Sequence, residues 1–367
     1  MWHVIIFVVL TAVMGNAEAQ IDFRRVASFP AELHEISGMV LKGDTIYALN
    51  DGGNAPKIYL TDTQGSIQRT FHVKAENQDW EELTAAGDSL LFIGDFGNND
   101  NTRKQLRILK LDLSKISGDT LYPEEINFRY EDQVSFPPPS SQLQFDCEAM
   151  VWLRDTLHLF TKNRTSPFDG WIKHYTLSSK PGNYAAQLRD SFKAGGFLKE
   201  LFWVTGAALS PDNRTLALIS SDKVYTFSGF SGSAFFSGNF EKIELGDISQ
   251  KEAIAFENQS TLWISDEANS LQSAGLYRLI KKKTGNATSM VEDTPEVWYS
   301  RHDQSVRFRY VHPIETITIY TPEGRLICQF DVHDKNYVLP FTNRTSGHYL
   351  CEITSGLNKQ ICVFRKF

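Results

Sequence analysis

Acidic and hydroxyl side chains recur at matching places in five similar segments of this 367-residue chain. Each segment is an apolar strand, a tight polar turn and a second apolar strand with a polar end. The strand starts carry Ser37, Glu81, Glu148, Thr205 and Glu252, and the strand ends carry Asp51, Asp95, Lys162, Ser221 and Asp266. Thirteen residues separate Gly38 from Asp51, Glu82 from Asp95, Ala149 from Lys162 and Ala253 from Asp266. Because hairpin strands are antiparallel, we expect both sets at one edge.

Carboxylates that converge on one edge repel one another unless a cation is bound among them. Carboxylate and amide oxygens suit a hard cation such as calcium, and the predicted calcium ligands are Glu81, Glu148, Glu252 and Asp266. A cation-bound water would then attack a phosphoester, lactone or ester, with Lys162 as the candidate catalytic residue that stabilises negative charge. Alternatively, Lys162 is an internal counter-ion.

The same edge can also be interpreted as a binding site or as scaffold. Asp-x-Gly-Asn occurs twice, at 51–54 and 95–98, and a binding site would use Asn50, Asp51, Asp95 and Asn98. In the scaffold interpretation, Asx side chains cap tight turns for local reasons, and strand-start glutamates close rings of backbone donors. The residue pattern alone leaves both open.

Further strand-like runs follow each hairpin, so the repeating unit is about four antiparallel strands. This unit is typical of a β-propeller blade, whose innermost strand lines a central channel. The sequence predicts an all-β protein with a five-bladed propeller over residues 20–282, or six blades if one repeat is degraded. The fifth hairpin is followed by one strand, and we expect Asp22–Phe29 to supply the missing outer strand.

The N-terminus indicates an exported protein, and the charge excludes one class of partner. An apolar run at Val4–Val13 followed by Ala17-Glu18-Ala19 predicts a signal peptide over residues 1–19, the alternative being a buried N-terminal strand or helix. The net charge of −7, without a Lys/Arg stripe, argues against nucleic acid. No later apolar run reaches 18 residues, which argues against a membrane span in the mature chain.

The last part of the chain has a different pattern. Residues 283–294 read as a linker, and residues 295–367 carry short alternating strands that predict a small β-sandwich. The four cysteines, Cys147, Cys328, Cys351 and Cys362, lack metal-site spacing. Cys351 and Cys362 flank the turn at 355–358 symmetrically, so they are either a cross-strand bridge or two small buried residues.

Within this segment, Ile317–Arg325, Ser346–Leu350 and the basic ending Arg365–Phe367 resemble a type IX secretion C-terminal sorting domain of Bacteroidetes. The resemblance implies that the type IX machinery binds residues 295–367, carries the cargo across the outer membrane, and leaves it outside the cell or on the outer-membrane surface. The alternative is a plain adhesion-type β-sandwich.

The propeller segments Glu35–Gly38, Asn50–Asn54, Asp79–Leu83 and Gly94–Asn99 resemble secreted Bacteroidetes propellers without an assigned activity. A fainter resemblance is to calcium-dependent propeller hydrolases of the gluconolactonase and esterase-like phytase types. There, channel-facing Glu and Asn or Asp residues hold the metal, which implies such roles for Glu148 and Asn50. The leading hypothesis is a secreted or cell-surface module, exported by type IX secretion, that binds an unidentified extracellular ligand or protein. A calcium-dependent hydrolase is the alternative, and a purely structural surface protein is the third.

Overall fold

The computed structural model describes residues 21–196, 199–282, 295–300, 303–321, 325–342, 344–355 and 358–366. These residues form two compact units, one within residues 21–282 and one within residues 295–366. The predicted signal peptide and the predicted linker 283–294 lie outside the described residues, as do Pro322–Gly324 and Phe367 of the sorting-domain motif.

The first unit is built almost entirely from strands. Strand β1 is Ile21–Ser28, and the first group of four is β2 (Ile36–Lys42), β3 (Thr45–Asn50), β4 (Lys57–Thr61) and β5 (Ile67–Val73). The second group is β6 (Trp80–Ala86), β7 (Leu90–Asp95), β8 (Leu106–Asp112) and β10 (Glu124–Tyr130), with the short β9 (Thr120–Leu121) before β10. The third group is β11 (Asp146–Leu153), β12 (Thr156–Lys162), β13 (Trp171–Ser178) and β14 (Gly182–Lys193).

The fourth group is β15 (Gly206–Leu209), β16 (Thr215–Ile219), β17 (Lys223–Ser228) and β18 (Asn239–Glu244). The fifth group is β19 (Lys251–Asn258), β20 (Thr261–Asp266) and β21 (Gly275–Lys281). Its outer position is taken by β1, which pairs antiparallel with β21 from Ile21 opposite Lys281 to Ser28 opposite Gly275. The prediction that the N-terminal strand completes this group is therefore confirmed. Short 3-10 turns occur at Ala31–Leu33, Leu113–Lys115, Ser140–Gln142, Lys199–Leu201 and Phe235–Ser237.

The innermost strands of these groups lie side by side in a closed order. β2 packs beside β6, β6 beside β11, β11 beside β15, β15 beside β19, and β19 again beside β2. A separate apolar cluster fills each interface between neighbouring groups. Small residues let the innermost strands approach, since a Cβ atom on Gly38 would lie 2.5 Å from the backbone nitrogen of Leu83. This closed arrangement of antiparallel groups is the predicted β-propeller.

Two strand pairings reduce the exposed outer edges. β10 pairs in parallel with β14, which merges the second and third groups into one eight-stranded sheet. β9 pairs in parallel with β5 at the outer edge of the first group. Such pairings leave fewer free backbone groups for contact with another chain.

The C-terminal unit contains five strands: β22 (Glu296–Ser300), β23 (Ser305–Tyr320), β24 (Leu326–Pro340), β25 (Gly347–Ser355) and β26 (Asn358–Lys366). Its own apolar core includes Phe308, Ile317 and Phe364. Cys351 lies opposite Cys362 in the β25–β26 register, as the symmetric spacing predicts. The structure describes the backbone of Cys362 but not its side chain. Among the described residues of both units, no helix has the length and apolar character to cross a membrane.

Candidate functional site

A cavity of about 530 Å³ lies at the edge of the propeller where the innermost strands begin. All the strand-start residues of the repeat line it: Ser37, Glu81, Glu148, Thr205 and Glu252. The strand-end residues that line it are Asp51, Lys162 and Ser221, together with Glu267. The repeat therefore brings polar side chains from all the groups to one place.

One local irregularity directs most of these side chains toward the cavity. In β2, β6, β11 and β19, one extra residue interrupts the pairing with the following strand, and that residue is Ser37, Glu81, Glu148 and Glu252, respectively. A β-bulge twists its strand and re-aims the side chain of the extra residue. Because the bulge recurs at the same place, the four side chains converge.

Asp51, Asp79 and Glu81 form a cluster on one side of the cavity, which we call the acidic trio. One carboxylate oxygen of each lies within 4.8 Å of the others. Gly97 of the second Asp-x-Gly-Asn copy and Gly52, at the variable position of the first copy, make room for the cluster. A Cβ atom on Gly97 would lie 2.2 Å from Glu81 Oε1 and 2.4 Å from Asp79 Oδ2, and one on Gly52 would lie 2.5 Å from Asp79 Oδ1.

No ion pair joins the acidic trio to a basic side chain among the described residues, although the more distant charges of Arg103 near Asp79 and of Lys162 near Glu81 and Asp51 act to lower the pKa of these carboxyls. The carboxylates of Asp79 and Glu81 take part in no hydrogen bond or ion pair there, and Asp51 accepts a hydrogen bond from the Gly52 backbone N–H. Burial raises the pKa of Glu81 well above its usual range, and the carboxylates of Glu148 and Asp51 add to this effect. Burial and the neighbouring Asp51 raise the pKa of Asp79 to about 6.

The basic side chains Lys162 and Arg164 in the cavity lining are already paired. Lys162 Nζ lies 2.9 Å from Glu148 Oε2, and Arg164 Nη2 lies 3.3 Å from Glu148 Oε1. Arg164 Nε also lies 2.7 Å from Asp146 Oδ2. Burial opposes the charge of Lys162, but the Glu148 carboxylate outweighs it, so the pKa of Lys162 is raised. The geometry is that of an internal counter-ion.

Glu252 and Glu267 complete the acidic lining. Glu252 is buried, and burial raises the pKa of its carboxyl. The side-chain amide of Gln250 donates a hydrogen bond to Glu267 Oε2 over 2.6 Å. Burial and the nearby carboxylate of Glu252 raise the pKa of Glu267 to about 8. This part of the lining therefore gathers acidic groups, and the raised pKa of each favours its neutral form.

Three of the predicted binding residues do not line the cavity. Asp95 is fully buried and pairs with Arg103 at 3.2 Å and with Arg107 at 2.8 Å. The side-chain amides of Asn98 and Asn50 donate hydrogen bonds to backbone carbonyl oxygens over 3.1 Å and 2.7 Å. These side chains hold the loops in place, whereas the fourth predicted residue, Asp51, belongs to the acidic trio.

The four predicted calcium ligands do not form one group among the described residues. Asp266 accepts hydrogen bonds from the Gly275 backbone N–H over 2.7 Å and from the Tyr277 hydroxyl over 2.6 Å. It therefore braces β20 against β21. Of the four, Glu81 is the member of the acidic trio, and its close neighbours there are Asp51 and Asp79.

Arg164 and Trp203 are two of the cavity residues that the sequence pattern did not mark. Arg164 lies two positions after the strand-end residue Lys162. Its closeness to a repeat position was the one sequence feature that could have predicted a place near the cavity. Trp203 lies in the loop before β15, outside the repeat, where no periodicity marks it. Its ring centroid is 4.6 Å from Arg164 Cζ and 5.3 Å from Lys162 Nζ.

Glu82, next to the bulged Glu81, is a third unpredicted residue and lies near the centre of the propeller. It is fully buried, and its carboxylate accepts backbone N–H groups of Leu83 and Ala207, each over 2.9 Å, and of Met150. Burial raises the pKa of this carboxyl well above its usual range, although the three backbone donors oppose the shift. Glu82 thus ties the second, third and fourth groups together.

No protein-family model matches this sequence, and no curated protein matches it in sequence. Among solved structures, the PQQ-bound aldose sugar dehydrogenase of Streptomyces coelicolor is similar over 72% of this chain and 99% of that chain, with 11% identity and a TM-score of 0.43. A gluconolactonase of Xanthomonas campestris is similar over 67% of this chain and 71% of its own, with 13% identity and a TM-score of 0.37.

PorZ, a surface component of the type IX secretion system of Porphyromonas gingivalis, is similar over 90% of this chain and 44% of its own. Its identity is 10% and its TM-score 0.31. Similarities at these values carry no argument about function, and the propeller architecture rests on the strand pairing described above.

Proposed function

We propose that this chain is a five-bladed β-propeller that binds a small extracellular ligand in its central cavity with the help of a calcium ion. Each group of four strands, the fifth closed by β1, would be one blade. The observation that carries the proposal is the acidic trio, where three carboxylates share a small volume without an ion pair to a basic side chain among the described residues. Such an arrangement favours the binding of a cation.

The contrast with other buried carboxylates supports this conclusion. Asp95 has two arginine partners, and Glu148 has Lys162 and Arg164. Glu81 is 6% exposed and has neither kind of partner among the described residues. Calcium takes six to eight oxygen ligands, so three carboxylates would leave coordination positions open to the cavity. A ligand oxygen can occupy those positions.

The experiment measures calcium binding by the full chain with two methods. These are calorimetric titration and thermal unfolding in the presence of calcium or of a chelator. At about 100 times Kd, calcium should stabilise the propeller by about 2.7 kcal/mol, which raises its Tm by roughly 5 °C or more. Asp79→Asn and Glu81→Gln should abolish the shift. The exposed residues Asp88 and Glu244 supply matched controls, Asp88→Asn and Glu244→Gln, which should retain it.

Glu148→Gln separates the acidic trio from the predicted set of Glu81, Glu148, Glu252 and Asp266. If the trio holds the ion, Glu148→Gln weakens calcium binding less than Asp79→Asn does. An absence of any calcium-dependent shift in the wild-type chain would refute the cation site.

The second candidate function is a calcium-dependent hydrolase of a phosphoester, lactone or ester. It is favoured by the position of Lys162, which lines the same cavity as the trio members Asp51 and Glu81. A water on the ion would be the nucleophile, and Lys162 would stabilise the developing charge. Because Lys162 is paired with Glu148, that role requires the pair to loosen. If the calcium-loaded chain hydrolyses no phosphoester, lactone or ester, the hydrolase candidate is refuted and ligand binding remains as the proposed function.

We also propose that residues 295–367 form a β-sandwich that serves as a type IX sorting domain and brings the propeller to the cell exterior. Support comes from the resemblance of the sequence and from the separate apolar core of this unit. Fusion of residues 295–367 to a periplasmic reporter in a Bacteroidetes host should move the reporter outside the cell. Retention of that reporter in the periplasm, in a host that exports its own cargo, would contradict the assignment.

A further inference from the structure

Most hydroxyl donors that line the cavity are already used within the protein; the Ser249 hydroxyl and the Asn99 side-chain amide, also in the lining, donate no hydrogen bond among the described residues. The Ser37 hydroxyl donates to the backbone oxygen of Trp80 over 3.2 Å, and the Thr205 hydroxyl donates to the backbone oxygen of Lys251. The Ser221 hydroxyl donates to a backbone oxygen over 3.0 Å. Each of these hydroxyls has one hydrogen to donate, so none is left for a ligand.

The basic side chains in the lining are likewise engaged. Lys162 and Arg164 are paired with carboxylates, as described above. Lys251 is fully buried, and its Nζ lies 3.0 Å from Asp247 Oδ2 and 2.8 Å from Ser249 Oγ. A ligand with a negative charge would therefore find no unpaired basic side chain in the described lining, and only the calcium ion could balance its charge.

Acceptors, in contrast, are abundant. Glu252 is 5% exposed, lines the cavity and forms no ion pair among the described residues. Glu267 uses Oε2 for Gln250, and no hydrogen bond to its Oε1 occurs in the described part of the chain. The cavity thus suits a ligand that supplies hydrogen-bond donors and carries no negative charge.

Apolar side chains stand among these acceptors. Leu201 and Trp203 line the cavity, and Ile248, 70% exposed, lies in the same lining. A sugar ring matches this combination because its hydroxyls donate to carboxylates, its C–H faces contact apolar groups, and its vicinal hydroxyls supply oxygens to a calcium ion.

We infer that the ligand is a neutral carbohydrate, coordinated to calcium at the acidic trio through vicinal hydroxyls and hydrogen-bonded to Glu252 and Glu267. This inference rests on the proposed function, since the ion supplies part of the contact. An ammonium-bearing ligand would also offer donors, but it would compete with calcium for the carboxylates and would not add oxygens to the ion.

The experiment uses probes that share one skeleton and differ in charge: D-galactose, D-galacturonate and D-galactosamine. Saturation-transfer NMR and calorimetry measure the binding of each probe to the calcium-loaded full chain. D-glucose, D-mannose and L-fucose serve as further neutral probes. At least one neutral sugar should bind, its signal should disappear with chelator, and galactose should bind at least as tightly as galacturonate. Glu252→Gln and Glu267→Gln should each weaken sugar binding about fivefold, because one acceptor oxygen is replaced by an amide nitrogen that cannot accept a hydrogen bond. Glu244→Gln is the matched control and should leave it unchanged.

Calcium titrations without sugar separate the two levels of the argument. If calcium binds but no neutral sugar does, the carbohydrate inference fails while the cation site stands. Tighter binding of galacturonate, or displacement of calcium by galactosamine, would overturn it as well. If calcium itself does not bind, the proposed function fails first.

Discussion

Gly97→Ala is a one-atom test of the acidic trio. The new Cβ atom would lie 2.2 Å from Glu81 Oε1 and 2.4 Å from Asp79 Oδ2, whereas carbon and oxygen need more than 3 Å. Both carboxylates must therefore move by about 1 Å. Calcium–oxygen distances span only about 2.3–2.6 Å, so two of the three ligands would lose their position.

The expected magnitude follows from this displacement. Overpacking should lower the free energy of unfolding of the calcium-free chain by about 1–3 kcal/mol. Loss of one well-placed ligand at about 1.4 kcal/mol already weakens calcium binding tenfold, and two displaced ligands should weaken it about a hundredfold. Calorimetric titration with calcium measures the second effect, and urea unfolding measures the first.

Gly196→Ala is the matched control, because a Cβ atom on Gly196 meets no atom within 4 Å. It should change neither quantity. A Gly97→Ala chain that binds calcium within threefold of wild type would show that the carboxylates beside Gly97 do not hold the ion, and the argument from close contact would be wrong.

Further predictions concern the buried polar groups. Glu82→Gln should lower the free energy of unfolding in urea by about 1–3 kcal/mol, because the amide nitrogen cannot accept a backbone N–H that the carboxylate accepted. A midpoint equal to that of Glu244→Gln would argue against the role of Glu82 in tying the groups together. Asp95→Asn should lower the free energy of unfolding by about 3 kcal/mol, because it breaks the ion pairs with Arg103 and Arg107. It should leave the calcium affinity unchanged, and a large loss of affinity would show that Asp95 contributes to calcium binding. His158 Nδ1 lies 2.9 Å from His174 Nε2, and burial lowers the pKa of the two rings to about 4 and about 3. As the pH falls, the unfolded chain takes up these protons before the folded chain does. The contribution of the two rings to the free energy of unfolding should therefore be fully present above pH 6.5 and fall by about 3 kcal/mol or more toward pH 4. Unfolding measured across that pH range should show a flatter dependence for the double variant His158→Phe, His174→Phe.

The repeat was visible in the sequence because four of the five innermost hairpins keep the same length. The spacing of thirteen residues begins directly after the bulged residue, so it located Glu81, Glu148 and Glu252 at the strand starts without revealing the bulge. Closure by the N-terminal strand was also predictable, because the fifth group lacked one strand.

The partners of each carboxylate were not predictable, because they come from other elements. Asp266 faces Gly275 and Tyr277 of the next strand, and Asp95 faces two arginines from the loop and strand that follow it. Asp79 lies near Asp51 because Gly52 and Gly97 have no side chains there. Periodicity reports which face a residue is on, but not which neighbour shares that face.

The pairing of β1 with β21 joins residues that are almost the whole unit apart in sequence, from Ile21 opposite Lys281 to Ser28 opposite Gly275. Closing so long a loop carries a large entropic cost and slows folding. The propeller can therefore complete its ring only after its last strand has been made, and a nascent chain stays open until then. Loss of β1 or β21 would leave an unpaired strand edge in the fifth group, which favours association with another chain.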